Sequence, residues 1–252
     1  MKVIELEGVW KKFRRYAREH RTLKETLIRG TRGICGEFWV LEDINFSVDE
    51  GECWGVMGAN GAGKTTLFRL IARILQPTRG KISTSGRISA ILDLGVGFHP
   101  DFTGRENIFT YGAILGVPSR ELRARLDEIV AFSGLEDFLE EPLRSYSSGM
   151  AARLAFSVAV HAGPSIILLD EILTVGDRGF QRRCLEKLKA LKSEGKTILI
   201  ISHSPELLAE ICPRSLLIEG HRLSARGETA EIARQYCEIT RSEKGADDER
   251  AC

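Results

Sequence analysis

A chain of 252 residues is long enough for one large α/β domain with a sizeable core, or for a main domain plus a small lobe. Hydrophobic residues at 43% and charged residues at 28% are ordinary for a globular protein, and no stretch reaches the roughly 18 consecutive apolar residues of a spanning helix. The first ten residues, MKVIELEGVW, carry acids where a signal peptide has its apolar region, and the net charge is only +1, so we expect a chain that neither spans a membrane nor is exported.

The charge is unevenly spread. Residues 11–32 hold nine Lys or Arg against Glu19 and Glu25, a net +7 that leaves −6 for the rest. Such a run is either a solvated loop or the mark of an anionic partner. Leu41–Val48 alternates, with Ile44, Phe46 and Val48 on one face, and predicts a half-buried strand. Cys53–Met57 reads as a short buried strand, followed by a Gly-rich loop and a helix bearing Leu67, Leu70, Ile71, Ile74 and Leu75. Short β-like pieces at Lys81–Thr84 and Arg87–Leu92 make the first third mixed in strand direction.

From Gly104 to Leu135 the period becomes helical, and after Pro142 a second helix runs through Leu154 and Val158. The apolar runs Ile166–Leu169 and Thr197–Ser202 flank a helix from about Phe180 to Ser193, which predicts parallel strands covered on both faces. Residues 238–252 lack apolar periodicity and predict a disordered tail. Six cysteines without a Cys-x-x-Cys pair form neither a disulfide framework nor a zinc spacing, so reduced thiols in the cytoplasm are expected.

The sharpest signal is Gly58-Ala59-Asn60-Gly61-Ala62-Gly63-Lys64-Thr65, a P-loop pattern set between a predicted strand and helix. Its glycines let successive N–H groups curl around a phosphate at a helix N-terminus. Lys64 is expected to reach the β- and γ-phosphates of ATP, and Thr65 to ligate Mg²⁺, with Thr66 beside it in the site. The apolar strand Ile166–Leu169 ends in Asp170, a second magnesium anchor, and Glu171, a candidate general base. Tyr146-Ser147-Ser148-Gly149-Met150 opens a helix, so its serines either cap that helix or offer donors to a terminal phosphate. His203, at the end of a strand, is either structural or a γ-phosphate contact at the carboxyl edge of the sheet.

In this order and spacing these elements resemble an ABC ATPase, with Walker A at Gly58–Thr65, a signature at Tyr146–Met150 and Walker B at Ile166–Glu171. The resemblance adds a D-loop at Val175-Gly176-Asp177 and a switch histidine at His203, and it covers residues 1–237. It implies a mixed RecA-like core sheet, an antiparallel β lobe, and a helical subdomain over about 104–160. It also implies a homodimer that sandwiches ATP, because Walker A of one subunit faces the signature (Ser147, Ser148, Gly149) of the other. Leu94-Gly95-Val96-Gly97-Phe98-His99-Pro100 with Thr103-Gly104-Arg105-Glu106-Asn107-Ile108 resembles one branch in particular, as do Ser148 in the signature and DEILTVGD after the strand. That branch comprises the ATPase subunits of polysaccharide exporters, which move O-antigen, capsule or teichoic-acid chains.

The resemblance implies a separate multi-span permease, a lipid-linked glycan, contact with anionic headgroups, and a peripheral place on the cytoplasmic face of the inner (plasma) membrane. It implies an adenine-stacking aromatic at Phe13, with Trp39 as the alternative. The usual Q-loop glutamine is missing; Asp93 or Leu94 falls nearest, and only Asp93 could bind a metal-bound water. ABC proteins of translation usually carry two cassettes, and DNA-repair relatives insert a coiled coil. This chain has one cassette, and Lys64 and Ser148 stand 84 residues apart without heptads, so no nucleic-acid partner is expected.

Overall fold

The computed structural model describes residues 1–16, 34–92, 96–171 and 176–250. Its centre is a six-stranded sheet in the order β5 (Ile88–Ile91), β6 (Ile166–Asp170), β7 (Thr197–Ile201), β3 (Cys53–Met57), β8 (Arg214–Glu219), β9 (Arg222–Glu228). The first five strands run parallel, and β9 turns back antiparallel on β8. All five residues of β3 and of β7 are buried, which is why these segments read as near-continuous apolar runs.

Alternation along the strands divides the interior in two. Met57, Ile167, Leu169, Ile198, Ile200 and Leu217 face one core, and Val56, Leu168, Leu199, Ile201, Leu216 and Ile218 face the other. Helices cover the first side. Helix α1 (Lys64–Ile71) and a small antiparallel sheet, ordered β2 (Ile34–Asp49), β1 (Lys2–Tyr16), β4 (Arg79–Thr84), cover the second. The strand expected over Leu41–Val48 is therefore the inner part of a longer one. β1 and β2 are paired from Lys2↔Asp49 out to Tyr16↔Ile34.

The single helical stretch expected from Gly104 to Leu135 is three helices: α2 (Gly104–Ile114), α3 (Ser119–Ala124) and α4 (Leu126–Ser133). Gly116, at φ 72, and Pro118 break the first junction; Gly134, at φ 63, ends α4. Then come α5 (Ser148–His161), α6 (Arg178–Ser193), α7 (Pro205–Ile211) and α8 (Thr229–Arg250). Helix α1 stops at Ile71, because Arg73 at φ 60 leaves the helical region, so Ile74 and Leu75 lie beyond it. The backbone of α8 is helical through Arg250, where the polar composition reads as a disordered tail; its Arg, Glu, Lys and Ala residues are strong helix formers. No helix among the described residues is long and apolar enough to cross a membrane.

Candidate functional site

The P-loop leaves the carboxyl end of β3 and enters α1, whose N-cap is Gly63. Two glycines are required by space as well as by angle. A Cβ on Gly58, at φ 155, would stand 2.4 Å from the Ile218 carbonyl oxygen, and one on Gly63, at φ 103, 2.6 Å from that of Val40. The loop is thus wedged between β8 and β2. Asn60 and Gly61 are exposed at its tip, while Ala62 is buried and its N–H turns back to the Ala59 carbonyl.

Lys64 is buried, and its ammonium donates to the Gly58 carbonyl at 2.7 Å and the Ala59 carbonyl at 2.9 Å. Burial pushes its pKa down, and the charges of Glu171 and Asp170 push the other way. Thr65 Oγ1 donates to Asp170 Oδ2 at 2.5 Å. Thr66 follows in the first turn of α1.

Beyond Asp170 the backbone N–H of Glu171 donates to the Ile201 carbonyl, and Glu171 adopts φ 53, a left-handed angle rare for a residue with a side chain. His203 Nε2 then lies 2.7 Å from Glu171 Oε1, and His203 Nδ1 shares a 3.0 Å hydrogen bond with Tyr236 of α8. Thr65, Asp170, Glu171 and His203 therefore meet at the carboxyl edge of the parallel strands. Nothing in the sequence pattern singles out Tyr236, which sits far from every motif.

Ser147 and Ser148 are exposed at the start of α5. Ser147 is the N-cap: its hydroxyl accepts from the Met150 N–H at 3.2 Å, and its carbonyl accepts from Ala151. Gly149 follows within the same turn. Tyr146, just ahead, donates to the Phe138 carbonyl at 2.6 Å, and Gly104 lies against its hydroxyl so closely that a Cβ would approach to 2.2 Å. The Gly97–Asn107 stretch is held as one unit. Thr103 and Glu106 form a reciprocal capping box, and fully buried Asn107 donates to the carbonyls of His99, Phe102 and Thr103 while accepting from the His99 N–H.

Phe13 and Trp39 lie on neighbouring strands, where Lys12 pairs with Trp39 and Phe13 with Phe38. The Trp39 ring meets Trp10 edge-on at 5.3 Å, with Lys12 and Arg79 each 5.6 Å from its centroid. Phe13 packs 6.2 Å from Phe38, which is 47% exposed. Asp93, Leu94, Val175 and Arg18 lie outside the described residues.

Residues 41–174 match the family model described as ABC transporter. The chain belongs to the ABC transporter family. ATP binding and hydrolysis are the activity of this ABC domain. The chain is 44% identical over 245 residues to an O-antigen export system ATP-binding protein of Myxococcus xanthus, covering 94% of this chain and 56% of that protein. It is 41% identical over 199 residues to a teichoic acids export ATP-binding protein of Enterococcus faecalis, covering 79% of this chain and 44% of that one. The chain thus spans only about half the length of these two relatives. A dimeric ATP-binding cassette solved with ADP and phosphate superimposes at a TM-score of 0.72 with 20% identity, over 90% of this chain and 98% of that one, which shows the shared fold.

Proposed function

We propose that this ABC ATPase powers export of a lipid-linked polysaccharide of the O-antigen, capsule or teichoic-acid type, as a homodimer beneath a separate multi-span permease on the cytoplasmic face of the inner membrane. The observation that carries the catalytic part is the meeting of Thr65, Asp170, Glu171 and His203 beside the P-loop. The two relatives named for O-antigen and teichoic-acid export support the cargo class.

In this reading the N–H groups of Gly58–Gly63 wrap the phosphates of ATP at the start of α1, where the helix dipole favours anions. Lys64 turns from the loop carbonyls to the β- and γ-phosphates, and Phe13 stacks on adenine. The Thr65 hydroxyl and Asp170 carboxylate are hard oxygen donors of the kind Mg²⁺ takes. The two donors leave most of an octahedral shell to be completed by phosphate and water rather than by a protein cage. Bound there, Mg²⁺ would offset phosphate charge, with Asp93 reaching it through water.

Glu171 takes the proton of the attacking water, and His203 orients Glu171 while facing the γ-phosphate. Ser147 caps its own helix, and exposed Ser147 and Ser148 together with Gly149 close on the ATP of a second copy. A cavity of about 450 Å³ is lined by Ile74, Leu92, Val96, Tyr111, Ile114 and Leu115. Its rim residues Ile74, Val96 and Ile114 are 62%, 64% and 60% exposed, an apolar surface suited to a permease segment.

Co-expression with the candidate permease tests the reading. Affinity capture of this chain should retain the permease, and a Glu171→Gln strain should accumulate lipid-linked glycan inside the cell. Capture without the permease, or normal surface glycan in that strain, would overturn it.

A further inference from the structure

Helix α8 lies outside the residues matched by the family model, yet one of its side chains reaches the catalytic edge. Tyr236 is 8% exposed and lines a cavity of about 190 Å³ against the P-loop residues Gly58–Ala62. Its hydroxyl shares the 3.0 Å hydrogen bond with His203 Nδ1, and His203 Nε2 stands 2.7 Å from Glu171 Oε1. These two contacts fix each other. An ionised carboxylate can only accept, so a neutral imidazole facing it must carry its proton on Nε2. In that tautomer Nδ1 is the acceptor and the phenol is the donor.

We propose that Tyr236 is a positioning residue for ATP hydrolysis, its O–H donating to His203 Nδ1 so that Nε2–H points at Glu171. The inference rests on the reading of Glu171 and His203 as the pair that acts on ATP. His203 follows the end of β7 and keeps 36% of its side chain exposed, so strand packing alone does not hold the ring. The tyrosine supplies the second attachment, as the partners of metal-bound histidines do. It also makes the C-terminal helix part of the catalytic apparatus, because movement of α8 would turn the histidine.

The experiment is a double-mutant cycle on the full chain with its permease, scored by ATPase kinetics. Tyr236→Phe keeps the ring that fills the core and should lower kcat about tenfold, the effect of about 1.4 kcal/mol, while KM for ATP changes less than twofold. In a His203→Ala background the same change should have no further effect. Ring ¹⁵N signals of the wild-type protein should show the Nε2–H tautomer of His203. An equal loss from Tyr236→Phe with and without His203, an unchanged kcat, or a proton on Nδ1 would overturn the proposal. If His203→Ala and Glu171→Gln both retain turnover, the underlying assignment fails instead, and the two failures are told apart.

Discussion

Thr65 Oγ1 and Asp170 Oδ2 are 2.5 Å apart although 105 positions separate them in the chain. The sheet order explains the meeting. β6 carries Asp170 at its end, β3 leads into the loop before Thr65, and only β7 lies between them. Side chains leaving the carboxyl ends of adjacent parallel strands converge on one crevice, the usual place for ligands in open α/β sheets. Glu171 and His203 join from the tips of β6 and β7, so this cluster follows from strand order.

Lys64 and Ser148 should respond very differently to truncation. The ammonium of Lys64 is buried against the loop carbonyls, so Lys64→Ala should lower ATP turnover by about 10²-fold or more and weaken nucleotide binding. Ser148 is exposed, and Ser148→Gly keeps the backbone donors, so turnover should stay within a few-fold of wild type. A Ser148→Gly enzyme as inactive as Lys64→Ala would mean that the hydroxyl itself carries the contact.

Gly104 lets the start of α2 pack closely against Tyr146. A methyl there would stand 2.2 Å from Tyr146 Oη and 3.2 Å from the Leu139 carbonyl oxygen. Gly104→Ala should therefore cost about 1–3 kcal/mol in urea unfolding, as overpacked sites do, and should lower ATPase activity by displacing Tyr146 ahead of Ser147. Unaltered stability and activity would show that the tyrosine moves aside freely.

His161 sets an acid limit on stability. Burial pushes its pKa below the usual 6.5, and the Ser157 carbonyl that accepts from Nδ1 at 2.8 Å offsets this only in part. The unfolded chain then binds the proton more readily than the folded one, so stability rises with pH. The loss begins as pH falls through about 6.5 and is complete below the folded value. His161→Asn cannot titrate, so its thermal midpoint should fall less between pH 7 and pH 5 than that of the wild type. Equal slopes would remove His161 as the cause.

The basic stretch is tested by charge reversal. Arg14 and Lys12 both pair with Glu37, whose pKa they hold down, Lys12 first. Replacing Arg14, Arg15 and Arg18 by Glu therefore leaves Glu37 its stronger partner, and basal ATPase activity of the isolated subunit should stay near normal. Glycan transport should fall steeply if the stretch faces anionic headgroups or the charged head of a lipid-linked substrate. Unchanged transport would make it a solvated edge.

Much of the parallel core is legible in the sequence because its strands are buried on both faces. Ile166–Leu169 and Thr197–Ile201 announce themselves as apolar runs, and the P-loop is fixed by its glycines. β1 is hidden for a physical reason. Ile4 and Leu6 alternate, but Gly8 at φ 53 and shifts in pairing on either side of Val9 break the period of two. The pairing of Phe13 with Phe38 and of Lys12 with Trp39 depends on that register. The candidate site residues are legible singly, but the Tyr236–His203 contact is not, since α8 reaches the site only through tertiary packing.

On the proposed mechanism two copies of this chain share their ATP sites, with Glu171 as the base. Loss of such a base costs about 10²–10⁴ in rate while binding survives, so Glu171→Gln should hold ATP without turning it over. The decisive measurement is the mass in solution of Glu171→Gln with the permease domain that binds it, with and without ATP and Mg²⁺. The shared-site mechanism requires an ATP-dependent dimer retaining two unhydrolysed nucleotides, lost again on Lys64→Ala. A variant that stays monomeric with saturating ATP, or that hydrolyses it at the wild-type rate, would rule that mechanism out.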